Sequence, residues 1–331
     1  MKIRLSAVTI ALSLAFGAGS ALADGTSVIS QPGAFNNANV QQVGNVGAGI
    51  TSSVTQSGDS NAASVLQDSN NNIAAVTINQ GGDTNTATVT QQGNASYVGA
   101  TINENPNPGA DRNVSTITQV GNTGALAYIQ HWQDDNTSTI TQTNVTGAYG
   151  VVYWNGNNNT GTILQSNGSN QSATINLNTY GSPNGNGNWS YITQTGNDQT
   201  AVIEQPGAQN GIAYIAQSGA LNEASITDSG SGNDAYITQV GGGLALNTSD
   251  VLQAGANNWA SNNQTGNDLF SDIVQTGTTN FALVNQTGSD LESWVSQTSN
   301  DNQAWVTQTG TNYSSTVTQA GPANVAVVWQ H

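Results

Sequence analysis

Toward the end of the chain glutamine returns every eleven residues, at Gln253, Gln264, Gln275, Gln286, Gln297, Gln308, Gln319 and Gln330. Residues 275–286 show what lies between two of them: a polar turn with Gly277, then Asn280, Ala282, Val284 and Gln286 at every second position. Alternation at period two marks a strand with one buried face. Neighbouring eleven-residue units differ, because Asn280, Asn302 and Asn324 open every second strand while Leu269, Leu291 and Tyr313 open the others. The structural period is therefore a pair of strands joined by a turn. One strand turns Leu269, Ser271, Ile273 and Gln275 inward, and its partner turns Asn280, Ala282, Val284 and Gln286 toward them.

Extended toward the N-terminus with turns allowed to lengthen, the frame ends its second strands at Gln42, Gln67, Gln91, Gln119, Gln142, Gln165, Gln194, Gln217, Gln239, Gln264, Gln286, Gln308 and Gln330, which predicts about 13 rungs. Six residues before twelve of these stands an asparagine: Asn36, Asn61, Asn85, Asn113, Asn136, Asn159, Asn188, Asn233, Asn258, Asn280, Asn302 and Asn324. Gly211 breaks the series. Extra residues fall between strands, at 104–111, 179–187 and 240–246, where an arc can bulge without disturbing a stack. The expected fold is all-β: a β-solenoid of strand-turn-strand rungs forming two stacked, parallel, in-register sheets in cross-β arrangement, occupying 24–331 as one domain.

The first residues, Met-Lys-Ile-Arg, an apolar run over 5–18 and Ala21-Leu22-Ala23, read as a secretory signal over 1–23. Its removal leaves Arg112 as the last Lys or Arg against 19 acidic residues. Nothing then neutralises phosphates, which argues against nucleic acid and against a polybasic membrane contact; the mature chain has no expected integral membrane segment. Cysteine is absent, so backbone pairing and small-scale packing must hold the fold. Charged residues make up 7% of the chain, too few to keep copies apart.

In rungs about 4.8 Å apart, each inward Gln or Asn lies above its counterpart and the side-chain amides can bond along the stack. The expected self-assembly ladder comprises Gln31, Asn36, Gln42, Gln56, Asn61, Gln67, Gln80, Asn85, Gln91, Gln275, Asn280, Gln286, Gln297, Asn302, Gln308, Gln319, Asn324 and Gln330. The repeat starts near Ser27, Ile29 and Gln31 and runs to Gln330 without a recognisable cap, so end-to-end stacking of copies is expected.

The spacing Gln-x4-Asn-x5-Gln, seen at Gln31/Asn36/Gln42, Gln56/Asn61/Gln67, Gln80/Asn85/Gln91, Gln275/Asn280/Gln286 and Gln297/Asn302/Gln308, resembles the repeat of the curlin family, the major subunits of bacterial curli. Leu269, Leu291 and Tyr313 depart from the Ser that the family usually carries there. The resemblance implies a secreted structural subunit of an extracellular, cell-surface amyloid fibre supporting adhesion and biofilm. It also implies a minor nucleator subunit, an outer-membrane secretion channel and a periplasmic chaperone as partners.

Other chemistry finds little support in the residues. His131 and His331 lie far apart in the repeat and read as solvent-facing or terminal, without a metal or acid-base spacing, and no cofactor or catalytic residue is expected. Asp268, Asp272, Asp290, Glu292 and Asp301 fall at turns and outward positions. Turn aspartates such as Asp83 read as gatekeepers against aggregation rather than calcium ligands. Outward threonines (Thr86/Thr88/Thr90, Thr137/Thr139/Thr141, Thr316/Thr318) raise the alternative of a monomeric surface adhesin or an ice-binding solenoid, although Phe270, Asp272, Trp294 and Trp305 interrupt the array. Trp132, Trp154, Trp189, Trp259, Trp294, Trp305 and Trp329 are assigned to outward or arc positions.

Overall fold

A computed structural model describes residues 24–104, 110–177 and 185–331. The signal segment expected over 1–23, and most of two of the three long arcs, lie outside the described residues. Strands follow the period-two segments: β1 (Asp24–Ser30), β2 (Asn37–Val43), β3 (Ala48–Gln56), β4 (Ala62–Asp68), β5 (Ala74–Gln80), β6 (Thr86–Gln92) and β7 (Val98–Glu104). The middle of the chain adds β8 (Val114–Val120), β9 (Leu126–His131), β10 (Thr137–Thr146), β11 (Tyr149–Trp154), β12 (Thr160–Ser169), β13 (Gln171–Asn176) and β14 (Trp189–Glu204). The remainder are β15 (Ile212–Asp228), β16 (Asp234–Gly241), β17 (Asn247–Ala256), β18 (Trp259–Thr278), β19 (Phe281–Gln297), β20 (Gln303–Gln319) and β21 (Val325–Gln330).

Every pairing is parallel and joins a strand to the equivalent strand of the next rung, as β1 to β3 and β2 to β4. Strands β14, β15, β18, β19 and β20 bend through a tight turn and serve both sheets: in β18, Trp259–Gly266 pairs with β16 while Phe270–Thr278 pairs with β17. The result is a β-solenoid of about 13 turns. At 4.8 Å per rung its axis is roughly 60 Å long. The second strands keep the glutamine frame throughout, from Gln42 opposite Gln67 to Gln308 opposite Gln330. The arc over 240–246 is absorbed as expected, since β16 and β17 on either side of it hold register with their neighbours.

The core is two facing columns of β-branched side chains. One runs Val54, Ile78, Ile102, Ile129, Val152, Ile175, Ile203, Ile226, Val251, Ile273, Val295, Val317, and the other runs from Val40 and Val65 to Val306 and Val328. Such side chains suit a pleated, half-covered surface and leave little room for larger ones. Asn262 takes one place in the second column and donates to Ser249 Oγ across the core.

Tight turns in the C-terminal half depend on stacked glycines. Gly288 has φ +140°, and a Cβ there would stand 1.8 Å from the carbonyl oxygen of Gly310 one rung away, so no side chain fits.

Candidate functional site

The second strands carry an unbroken column of glutamines. Nε2 of Gln42 donates to Oε1 of Gln67 at 2.8 Å, and the same bond recurs at every step to Gln308 and Gln330 at 2.7 Å. All point one way, the amide nearer the N-terminus donating to the next. The second N–H of many of these amides reaches a backbone carbonyl of the facing strand, as in Gln286 to Phe270 at 2.9 Å. Each glutamine therefore ties rung to rung and sheet to sheet, and its buried amide is satisfied.

The asparagines stack through the main chain at every step of the series, and the expected side-chain pairing accompanies that bond at some of them, as from Asn159 to Asn136 and from Asn280 to Asn258 at 3.1–3.2 Å. Oδ1 of Asn36 accepts the backbone N–H of Asn61 at 2.8 Å, and Asn61, Asn85, Asn113, Asn136 and Asn159 pass the bond onward. Their Nδ2 groups turn into the arc, as Asn61 does to the Gly82 carbonyl at 2.7 Å. A short side chain at a strand start reaches main chain before it reaches another amide, the habit that makes asparagine a turn former. The series resumes through Asn258, Asn280, Asn302 and Asn324.

The first strands hold a column that is uniform at both ends and interrupted in the middle. Gln31, Gln56 and Gln80 bond in sequence at 2.6 and 2.8 Å, and Gln253, Gln275, Gln297 and Gln319 do so at 2.8–2.9 Å. Between them the same position is held by Glu104, His131, Trp154, Leu177, Gln205 and Asp228, all buried. Three expectations are corrected here: Glu104, expected to open an arc, instead ends β7 with its side chain fully buried. His131 is fully buried rather than solvent-facing, and Trp154 is fully buried rather than outward.

The facing strand adapts to each intruder. Ala63 and Ala87 give way to Ser115 opposite Glu104, Ser138 opposite His131 and Gly161 opposite Trp154. Nε2 of Gln80 donates to Glu104 Oε2 at 2.9 Å, and Ser115 Oγ donates to Glu104 Oε1 at 2.6 Å. Ser115 Oγ lies 3.5 Å from His131 Nδ1, His131 Nε2 lies 2.7 Å from Ser138 Oγ, and Trp154 Nε1 donates to Ser138 at 2.7 Å. Burial pushes the Glu104 carboxyl up to about 8 against the pull of Ser115 and Gln80, and pushes the His131 ring down to about 3.

Gly211, the break in the asparagine series, has the same origin. Its N–H still joins the stack by donating to Asn188 Oδ1 at 3.0 Å, but a Cβ there would come within 2.4 Å of Asp228 Oδ2. Asn233 turns its Nδ2 to Asp228 Oδ1 at 2.7 Å, and burial raises the Asp228 carboxyl above its ordinary value.

Two further ladders escaped the periodic frame. Asn45, Asn70, Asn94 and Asn122 stack along the other edge, each Oδ1 accepting the N–H of the next rung. Their signal is Gln-x2-Asn, repeated from Gln42, Gln67, Gln91 and Gln119. In the opposite turn Asp59, Asp83, Asp111 and Asp134 accept the backbone N–H of Ala34, Asp59, Asp83 and Asp111 at 2.7–2.9 Å. These turn aspartates are hydrogen-bonded parts of the stack, beyond any gatekeeping. Arg112 forks onto Asp135 at 2.6 and 2.7 Å in the same exposed turn.

The outer faces differ from the expectation as well. Thr88, Thr116, Thr139 and Thr162 form one rank on the second sheet and Thr90, Thr118 and Thr141 another. Phe270, Asp272 and Trp294 lie on the other sheet and do not interrupt it. Beyond the threonines the second face becomes aromatic: Tyr191 and Tyr214 stack at 5.2 Å, Trp259 and Phe281 at 4.5 Å, and Phe281 leans on Trp305 at 5.3 Å. A cavity near Phe270 is lined by Asp268, Asp290, Glu292 and Tyr313 and is open to solvent. Among the described residues no group of His, Cys, Asp and Glu is arranged to hold a metal ion.

A family model described as the curlin associated repeat matches the chain three times, over residues 184–207, 213–241 and 266–298, which supports assignment to the curlin family. The register of the matched rungs continues through the unmatched ones on either side. No curated protein matches the chain.

Proposed function

We propose that this curlin-repeat chain, curli-like and fibre-forming in type, is the structural subunit of an extracellular fibre that grows by adding copies end to end and supports adhesion and biofilm. The observation that carries the reading is the complementarity of the outermost described rungs. Among the described residues, β1 and β2 pair on one side only, with β3 and β4, and β21 only with β20. Gln31 and Gln42 keep an unused Oε1 at one end, while Gln319 and Gln330 keep an N–H beyond those given to Gln303 and Ser314 at the other.

The asparagines offer the reverse pair, the N–H of Asn36 and Oδ1 of Asn324. One copy set on another in the register of the stack joins these groups, and Val328 covers Val40. Open edges with paired donors and acceptors are templates for growth. A signal over 1–23, passage through an outer-membrane channel with a periplasmic chaperone, and a minor nucleating subunit belong to the same proposal, which assigns the chain a structural rather than catalytic role.

The test uses purified chain from Asp24 onward at neutral pH. Seeded, concentration-dependent growth of fibres with a reflection near 4.8 Å is expected. A monomer that persists for days beside its own seeds overturns the reading. The threonine ranks, ended at Tyr191 and Leu164, carry a second reading, an ice-binding face, which thermal hysteresis of the soluble chain would reveal.

A further inference from the structure

Glu104 and His131 are adjacent in the first-strand column, in register one rung apart, and both are fully buried. The groups packed on them are neutral: Gln80 from β5, Ser115 from β8, Ser138 from β10 and Trp154 from β11. Among the described residues no other titratable or charged side chain faces either one. Asp111, Arg112, Asp134 and Asp135 belong to the solvent-facing turn. Closed into this space, a carboxylate has two hydrogen bonds, and among the described residues the one group able to carry its countercharge is the equally buried His131 ring, so ionising the pair sets two charges in the dry column.

We propose that the Glu104–His131 step is a proton gate on closure of the solenoid: these two rungs seat on each other with a proton on the carboxyl and none added to the ring. The hydrogen bonds suit that state. In the protonated state the Ser115 bond reverses, the acid O–H at Oε1 donating to Ser115 Oγ while the serine turns its own proton toward His131 Nδ1, and Gln80 still serves Oε2.

The direction of the pH effect follows. The unfolded chain ionises Glu104 above its ordinary value of 4.5, whereas the folded chain holds the proton to about 8. Folding therefore takes up a proton between those values, and stability falls as pH rises through them. His131 loses its proton at 6.5 when unfolded and is held neutral down to about 3 when folded, so stability falls as pH drops below 6.5. Between 4.5 and 6.5 the two slopes cancel, and closure is most favoured there. From pH 6.5 to pH 8 the folding constant drops about tenfold per unit, roughly thirtyfold in all. This gate belongs to a single chain and does not depend on copies adding end to end.

Two measurements test it. Denaturation midpoints of the chain from Asp24 onward are compared between pH 6.5 and 8.5 for wild type and Glu104→Gln. The wild type is expected to lose stability across this window and the variant to stay flat; a variant with the wild-type profile overturns the gate. The second needs no variant. The chain has four glutamates, Glu104, Glu204, Glu223 and Glu292, so selective labelling of their carboxyl carbons gives few signals. One carboxyl carbon titrating near pH 8 in the folded chain supports the proposal, and all four titrating below pH 6 refutes it even if Glu104→Gln fails to fold.

Discussion

Trp154 fills the space that Gly161 leaves open across the core: a Cβ on Gly161 would stand 2.4 Å from Cζ2 of the indole. Ala at this position is what Ala87 and Ala213 provide in other rungs, where the facing residue is smaller. Gly161→Ala is expected to destabilise by about 1–3 kcal/mol through overpacking. The double variant Trp154→Gln with Gly161→Ala recreates the end-rung pair and should recover much of the loss. Denaturation midpoints followed by circular dichroism check both, and an additive double variant would count against the pairing.

The glutamine column predicts a large cost for one missing amide. Gln286→Ala strands an N–H of Gln264, Oε1 of Gln308 and the Phe270 carbonyl in a dry core. A loss of about 2–4 kcal/mol is expected. Replacing Gln275, Asn280 and Gln286 together by Ala should abolish seeded growth; fibres that extend at the wild-type rate would show that the amide columns do not drive assembly.

Asp250 and Asp272 sit in register on the outer face of the first sheet. Burial, then Asp272 and Glu223, raise Asp250 above its ordinary value, and burial raises Asp272. Raised carboxyls stabilise the fold below the unfolded value and lose that contribution as pH climbs through the folded one. Asp272→Asn should therefore stabilise at pH 7 and have little effect at pH 3. Both groups are about half exposed, so the gain should stay under about 1 kcal/mol. A gain of the same size at both pH values would contradict the assignment.

The aspartate turn ladder makes a local prediction. Asp83 accepts from the N–H of Asp59 and passes its own N–H to Asp111. Asp83→Ala should speed amide exchange at Asp59 severalfold while leaving the strand amides protected, and Asp83→Asn should preserve protection. Uniform exchange in all three chains would remove the turn from the stack.

The uniform parts of this fold were legible because each rung repeats the same residue at the same parity. The frame that ends at Gln42 and proceeds to Gln330 is the register of the second strands. What stayed hidden was each place where chemistry changes while parity does not. Glu104, His131 and Trp154 each follow by two an inward Ile102, Ile129 or Val152, so alternation alone turns them inward. Charge and ring size suggested the surface instead. Their small partners Ser115, Ser138 and Gly161 were the second clue, because a core of fixed width makes room for a large side chain only where its opposite number shrinks. The difference between the asparagine and glutamine ladders was not legible, since it depends on which neighbour a side chain one methylene shorter can reach.

A stack of identical steps has no reason to prefer one alignment over the next, because a slip of a single step loses only the overhang. Between Glu104 and Asp228 that indifference ends. Displaced by one rung, the indole of Trp154 meets Ser138 or Ser190 where Gly161 should be, and the Glu104 carboxyl loses Ser115. The midsection thus works as a key cut into an otherwise uniform bar: it fixes the one threading in which all the teeth engage, and it leaves the outermost described rungs, with their complementary groups, outside the lock.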